Sequence, residues 1–159
     1  MIELVFQNST DTKSFNKDFF AQVLNIAVKE IKLDKKLLSV SVNLVAGAKI
    51  KELNKKYRNK SKVTDVLSFP MYENSNLETR DKKQVGSKML VSDLGDIFIC
   101  LSFAKKQAKS ENISIKKELA RLTVHGFLHL LGYDHDKSKK EEKKMIDLEN
   151  KILSKLDIF

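Results

Sequence analysis

His125, His129 and His135 are the only histidines of the chain, and all three lie in the stretch His125-Gly126-Phe127-Leu128-His129-Leu130-Leu131-Gly132-Tyr133-Asp134-His135. His125 and His129 are spaced to share one face of a helix, with Cβ atoms roughly 6 Å apart, so their rings can converge on one ion. Gly132 can take a left-handed conformation and end that helix. Tyr133-Asp134 then spans the gap that brings His135 back as a third ligand. Three neutral imidazoles with an open fourth position are the donor set of a catalytic zinc site. A buried helix whose histidines merely satisfy backbone carbonyls is the plainer alternative. It suits one histidine better than three at this spacing. A structural zinc is the other alternative, but such sites usually have four protein ligands, mostly Cys. Cys100 is the single cysteine that could serve as a fourth.

The spacing His-x-x-x-His-x-x-Gly-x-x-His is shared with the metzincin proteases, with one difference. Their first His is followed by Glu, the general base, and here that position is Gly126. A protease lacking that Glu loses the group that takes a proton from water. Glycine in a helix interior also costs about 1 kcal/mol against Ala. Close approach of another backbone or of a bulky substrate would justify it.

The elements that must position these residues follow from hydrophobic period. Strands are expected at Ile2 to Asn8, Leu38 to Val45, Val63 to Met71 and Leu94 to Cys100. Helices are expected at Phe15 to Leu33 with Ser14 as N-cap, Gly47 to Asn59, Ser102 to Ser110, Ile115 to Leu131 with Ser114 as N-cap, and Lys139 to Leu156. The polar stretch Tyr72 to Ser87 has no period and is expected as a surface loop. The helix Ile115 to Leu131 is apolar nearly all round, which predicts a central, buried position with the histidines on its one polar face. Together these elements predict an α/β (α+β-like) fold. One domain spanning residues 1–159 would carry an about four-stranded mixed sheet packed with helices.

At 159 residues the chain is long enough for a real core. One cysteine allows no internal disulfide and fits a reduced, cytoplasmic setting. The opening Met1-Ile2-Glu3-Leu4-Val5-Phe6 is expected as a strand rather than a signal peptide, and no apolar run reaches membrane-spanning length. The net charge of +9 favours a polyanionic partner such as nucleic acid. Of 30 basic residues only Arg58, Arg80 and Arg121 are Arg. A Lys-rich skew of that kind also arises from genomic base composition.

Other residues are candidates from their surroundings. Arg58, at the end of Leu53-Asn54-Lys55-Lys56-Tyr57-Arg58, could clamp a phosphate; from position alone it is an ordinary surface Arg. Thr64 and Asp65 open the third strand, where a turn or capping role competes with a site role. Asp96 enters a buried strand and would need a partner, such as a His or Arg. Glu118 shares the His125 face but lies about 10 Å away along the helix. Asp134 sits between ligands and could orient His135.

His125-Gly126-x-Leu128-His129-Leu130-x-Gly132-Tyr133-Asp134-His135 resembles the signature of the YbeY family, bacterial zinc-dependent endoribonucleases and rRNA maturation factors. Leu53 to Arg58, Thr64-Asp65-Val66-Leu67-Ser68-Phe69-Pro70 and Leu94-Gly95-Asp96-Ile97 match in order along the whole chain. The resemblance implies one zinc held by His125, His129 and His135, with Arg58 and His125 as catalytic residues. It implies cleavage of single-stranded RNA, maturation of the 16S rRNA 3′ end and quality control of the ribosome. The implied partners are the ribosome and its assembly proteins, including a small-subunit protein and an assembly GTPase, with no membrane. In the expected mechanism zinc polarises a phosphoryl oxygen or acidifies water, while Arg58 offsets charge growing on phosphorus. The base stays open between a hydroxide on the zinc, Glu118 and the RNA 2′-hydroxyl. A metzincin-like protease with an unusual base and a non-catalytic assembly factor with structural zinc are the rival functions.

Overall fold

Side chains of the first strand, β1 (Ile2–Asn8), alternate: Ile2 and Leu4 are buried while Glu3 and Val5 are exposed, so one face of the strand meets a core. The computed structural model describes residues 2–33, 38–71 and 92–157. The segment Tyr72 to Ser87, expected as a loop, lies outside the described residues. Helix α1 (Lys17–Ile31) starts two residues later than its period suggested. Asn16 rather than Ser14 is its N-cap, because the Asn16 side chain accepts a hydrogen bond from the Phe19 amide. Strand β2 (Leu38–Val45) follows, then helix α2 (Gly47–Arg58), which ends where Asn59 turns left-handed at φ 55°.

Strand β3 (Val66–Pro70) is shorter than the expected Val63 to Met71. Its approach is held by side chains as well as by a backbone bond from the Cys100 amide to the Asp65 carbonyl at 2.8 Å. Buried Asn54 donates from Nδ2 to the Lys62 carbonyl at 3.0 Å, and Asp65 Oδ1 accepts from the Val66 amide at 2.8 Å. Strand β4 (Ser92–Cys100) runs into helix α3 (Leu101–Ser110). Helix α4 (Ile115–Leu130) begins at the expected cap, Ser114, and helix α5 (Lys139–Ser154) is capped by Ser138.

The four described strands form one mixed sheet in the order β1-β2-β4-β3. β1, β2 and β4 are parallel, and β3 runs antiparallel to β4 with Ser68 opposite Ile97. Gly95 lets this edge close. Its φ is +121°, and a Cβ there would lie 2.1 Å from the Phe69 carbonyl oxygen, so only glycine fits. One sheet face, with Val40, Val42, Ile97 and Ile99, packs against α1 and α4 in the main core. The other face, with Leu67 and Cys100, packs with Ile50 and Leu53 of α2 in a smaller core. Helix α4 touches α1, α3, α5, β3 and β4. A helix surrounded in this way needs an apolar circumference, as its sequence has.

Candidate metal centre

Helix α4 supplies His125 and His129, and its C-terminus supplies the turn to His135. The Gly132 amide donates to the His129 carbonyl and the Tyr133 amide to the Leu128 carbonyl, each at 3.0 Å. This is a Schellman turn, and it requires a residue such as Gly132, at φ +97°, just past the helix. The turn folds His135 back over the last turn of α4. One ring nitrogen from each of the three histidines lies within 4.8 Å of the others.

The nitrogens suit a cation. Nε2 of His125 and Nε2 of His129 are 3.1 Å apart; two ligands bound tetrahedrally at zinc distances would be about 3.3 Å apart. His125 Nδ1 and Glu149 Oε2 of α5 are 3.1 Å apart; with the proton on Nδ1, Nε2 of the neutral ring keeps a bare lone pair. His135 Nδ1 is buried and has no hydrogen-bond partner. His129 is pushed down to about 4, first by burial and then by the positive charge of His125 and His135. A backbone hydrogen bond with Tyr133 and the charge of Asp134 oppose the shift without overcoming it. His129 is therefore neutral at pH 7, as a metal ligand must be.

The three imidazoles line a cleft of about 800 Å³ together with Arg58, Lys60, Lys62, Thr64 and Asp65. Arg58 is tied to β3: its Nη2 donates to the Ser68 carbonyl at 3.2 Å. Ser68 Oγ in turn donates to the Gly126 carbonyl at 3.2 Å. Strand β3 thus links Arg58 to the histidine helix through one buried serine. At Gly126 the helix and the sheet come close together. A Cβ there would meet Ile97 Cγ2 at 2.8 Å and Ser68 Oγ at 3.1 Å. The close approach is therefore made by the side chains of Ile97 and Ser68 rather than by another backbone, and it leaves no room for an acid at the position.

The remaining candidates divide. Asp134 lines the cleft and accepts from the Asp136 amide at 2.9 Å, so it braces the loop that carries His135. The carboxylate nearest the His135 ring is that of Asp136, with Oδ1 3.4 Å from Nε2. Asp65 is held mainly by its own turn, accepting from Val66 N and Thr64 Oγ1, and its Oδ2 lies 3.9 Å from Arg121 Nη2. Glu118 is fully buried and takes both prongs of Arg121, at 2.6 and 3.0 Å. That hydrogen bond is the main cause of a raised Arg121 pKa; burial opposes it, and the charges of Glu118, Glu149 and Asp65 reinforce it. Asp96 is not brought to the imidazoles. Its neighbour Ile97 faces Gly126, so Asp96 points to the opposite side of the sheet. Cys100 belongs to the smaller core beneath α2, and among the described residues the group that could hold a metal ion contains histidine alone.

Sequence reasoning missed Glu149, Arg121 and Ser68. Glu149 and Ser68 reach the site from elements remote from the histidines in sequence. Arg121 carried a legible signal, one helical turn before His125 and one after Glu118, the spacing of an ion pair on a helix face.

Comparison with known proteins gives a consistent result. The family model described as Endoribonuclease YbeY matches residues 4–157. A protein named Endoribonuclease YbeY from Aquifex aeolicus is 41% identical over 144 residues, covering 91% of this chain and 86% of its own. One of the same name from Sulfurihydrogenibium is 40% identical over 145 residues, covering 91% of this chain and 84% of its own. The solution structure of TM1509 from Thermotoga maritima superposes with a TM-score of 0.62 at 28% identity, covering 96% of this chain and 87% of that one.

Proposed function

The chain belongs to the YbeY family of endoribonucleases, and from that premise we propose that it cleaves single-stranded RNA with one zinc ion held by His125, His129 and His135. It is an enzyme of the hydrolase class, acting on RNA phosphodiester bonds. The observation that carries the site assignment is the meeting of three imidazole nitrogens within 4.8 Å in a cleft also lined by Arg58, Lys60, Lys62 and Lys137. When bound, the ion supplies Lewis-acid polarisation of a phosphoryl oxygen and acidifies water.

The chain's own residues do the rest. Arg58 binds a non-bridging phosphate oxygen and offsets charge that grows on it during attack. Its bond to the Ser68 carbonyl holds the guanidinium at the cleft rather than in bulk solvent. Lys60, Lys62 and Lys137 line the same cleft and hold the RNA backbone without reading its sequence. Asp134 braces the loop that presents His135. Glu118, sealed beneath Arg121, offers no base to the cleft. Packing at Gly126 excludes the acid that peptide hydrolysis would use there, which favours RNA over peptide.

The natural substrate in this proposal is the 16S rRNA 3′ end, and the partners are the ribosome and its assembly proteins in the cytoplasm. The family membership and the +9 charge support this. No helix among the described residues is long and apolar enough to cross a membrane. The test is metal analysis of the purified protein beside cleavage of single-stranded RNA, casein and small subunits with an unprocessed 16S 3′ end. Wild type should carry one zinc, cut the RNA and trim the subunits. His125→Ala and Arg58→Ala should fold and lose cleavage. Full RNA cleavage by both variants, or digestion of casein by wild type, would overturn the proposal.

A further inference from the structure

We propose that Glu149 is a positioning residue for the metal centre: it holds His125 as the Nδ1–H tautomer and aims Nε2 at the ion. The inference rests on the metal-site assignment above. Glu149 lies on α5, and its Oε2 accepts from His125 Nδ1 at 3.1 Å. Its side chain is 12% exposed and that of His125 is 23% exposed, so the bond is largely shielded from water. A carboxylate oxygen only accepts, so the shared proton sits on His125 Nδ1. Nε2, which lies 3.1 Å from Nε2 of His129, is then the nitrogen with the free lone pair.

Two further features support a positioning role over a chance surface pair. Glu149 is placed by the core, because Met145 and Ile152 on the same helix are buried, at 1% and 0% exposure. Arg121, one helical turn before His125, interacts electrostatically with Glu149 while both its prongs are held by Glu118. The carboxylate thus has an imidazole on one side and a fixed cation near it. A ligand whose second nitrogen is bound in this way has its ring orientation set before metal arrives. His129 and His135 have no such carboxylate from another element among the described residues.

The test compares Glu149→Ala and Glu149→Gln with wild type. Zinc affinity is measured by competition with a chromophoric chelator. The thermal midpoint of each metal-free chain is measured separately, and the His125 tautomer is read from imidazole ¹⁵N shifts in the metal-free wild type. Glu149→Ala should lower zinc affinity by about 10–100-fold while moving the metal-free midpoint little. Glu149→Gln, whose amide oxygen can still accept the bond, should recover most of that affinity. The wild-type tautomer should be Nδ1–H. Wild-type affinity in Glu149→Ala, equal losses in the Ala and Gln variants, or an Nε2–H tautomer would each overturn the proposal. If Glu149→Ala does not fold, the Gln comparison and the tautomer decide. A wild type that binds no zinc would overturn the metal-site assignment itself, and the tautomer would still test Glu149 alone.

Discussion

Replacing Gly126 by alanine tests whether packing or helix propensity rules at the heart of the site. Propensity favours the change: Ala in a helix interior is better than Gly by about 1 kcal/mol. Packing opposes it. The added methyl would stand 2.8 Å from Ile97 Cγ2, 3.1 Å from Ser68 Oγ and 3.4 Å from Ile97 Cδ1. Ile97 is completely buried and part of the main core, so it has no open space to move into. Overpacking of this kind costs about 1–3 kcal/mol, and the contact below 3.0 Å places this case toward the upper end. The net expectation is a loss of about 1–2 kcal/mol. In a chain of this size each kcal/mol moves the thermal midpoint by roughly 2–4 °C, so metal-free Gly126→Ala should melt about 2–8 °C lower. Relief comes by moving α4 away from β4 and β3, which stretches the Ser68–Gly126 bond and shifts the imidazoles relative to Arg58. RNA cleavage should therefore fall by more than zinc content does. A double-mutant cycle with Ile97→Ala sharpens the test: the methyl enters space the deleted side chain leaves, so the double variant should lose less than the sum of the singles. A Gly126→Ala protein as stable as wild type, or strict additivity in the cycle, would refute close packing as the reason for glycine.

Arg121→Met should destabilise the chain by about 3–5 kcal/mol in urea unfolding, because it leaves the Glu118 carboxylate buried without its two hydrogen bonds; changing Glu118→Leu as well should restore most of the loss. Metal-free protein should lose stability as pH falls from about 6.5 to about 4. His129 titrates near 4 in the fold and near its ordinary value when unfolded, so the unfolded chain binds the extra proton in that window. Urea midpoints measured across the window check this, and midpoints that do not fall would refute it. Chelation should lower the thermal midpoint as well as abolish cleavage, since zinc at a hundred times its dissociation constant adds about 2.7 kcal/mol.

Much of the fold was legible because each strong element carries its own period and punctuation. Ser114 and Gly132 mark the two ends of the histidine helix, and the structure uses both, one as a side-chain cap and one as a left-handed turn. Sheet order was not legible. β4 inserts between β2 and β3, and each of these strands is apolar enough to sit centrally. Periodicity also reports direction around an element and not depth. It placed Glu118 on the His125 face and could not show that this part of the face is closed over by the core. It gave no warning that Asp96 looks away from α4, because a strand flanked by two cores is apolar on both sides. Glu149 was invisible for a different reason. Its partner is 24 residues away on another helix, and a Glu on a basic amphipathic helix looks like solvent-facing charge.

The place of β4 in the sheet has a kinetic consequence. Its parallel pairing with β2 joins residues such as Val42 and Ile97, far apart in sequence, and such contacts form late because their loops are costly to close. Until β4 is seated, β3 has no strand to pair with, Ser68 has no fixed position, and Gly126 has no surface to dock on. Arg58 and the imidazoles belong to separate pieces of chain at that stage. Recovery of cleavage on refolding should therefore track the slowest sheet-forming phase and show no earlier partial burst. A half-folded chain has no half-active cleft, which is a useful property for a nuclease made in the presence of the cell's RNA.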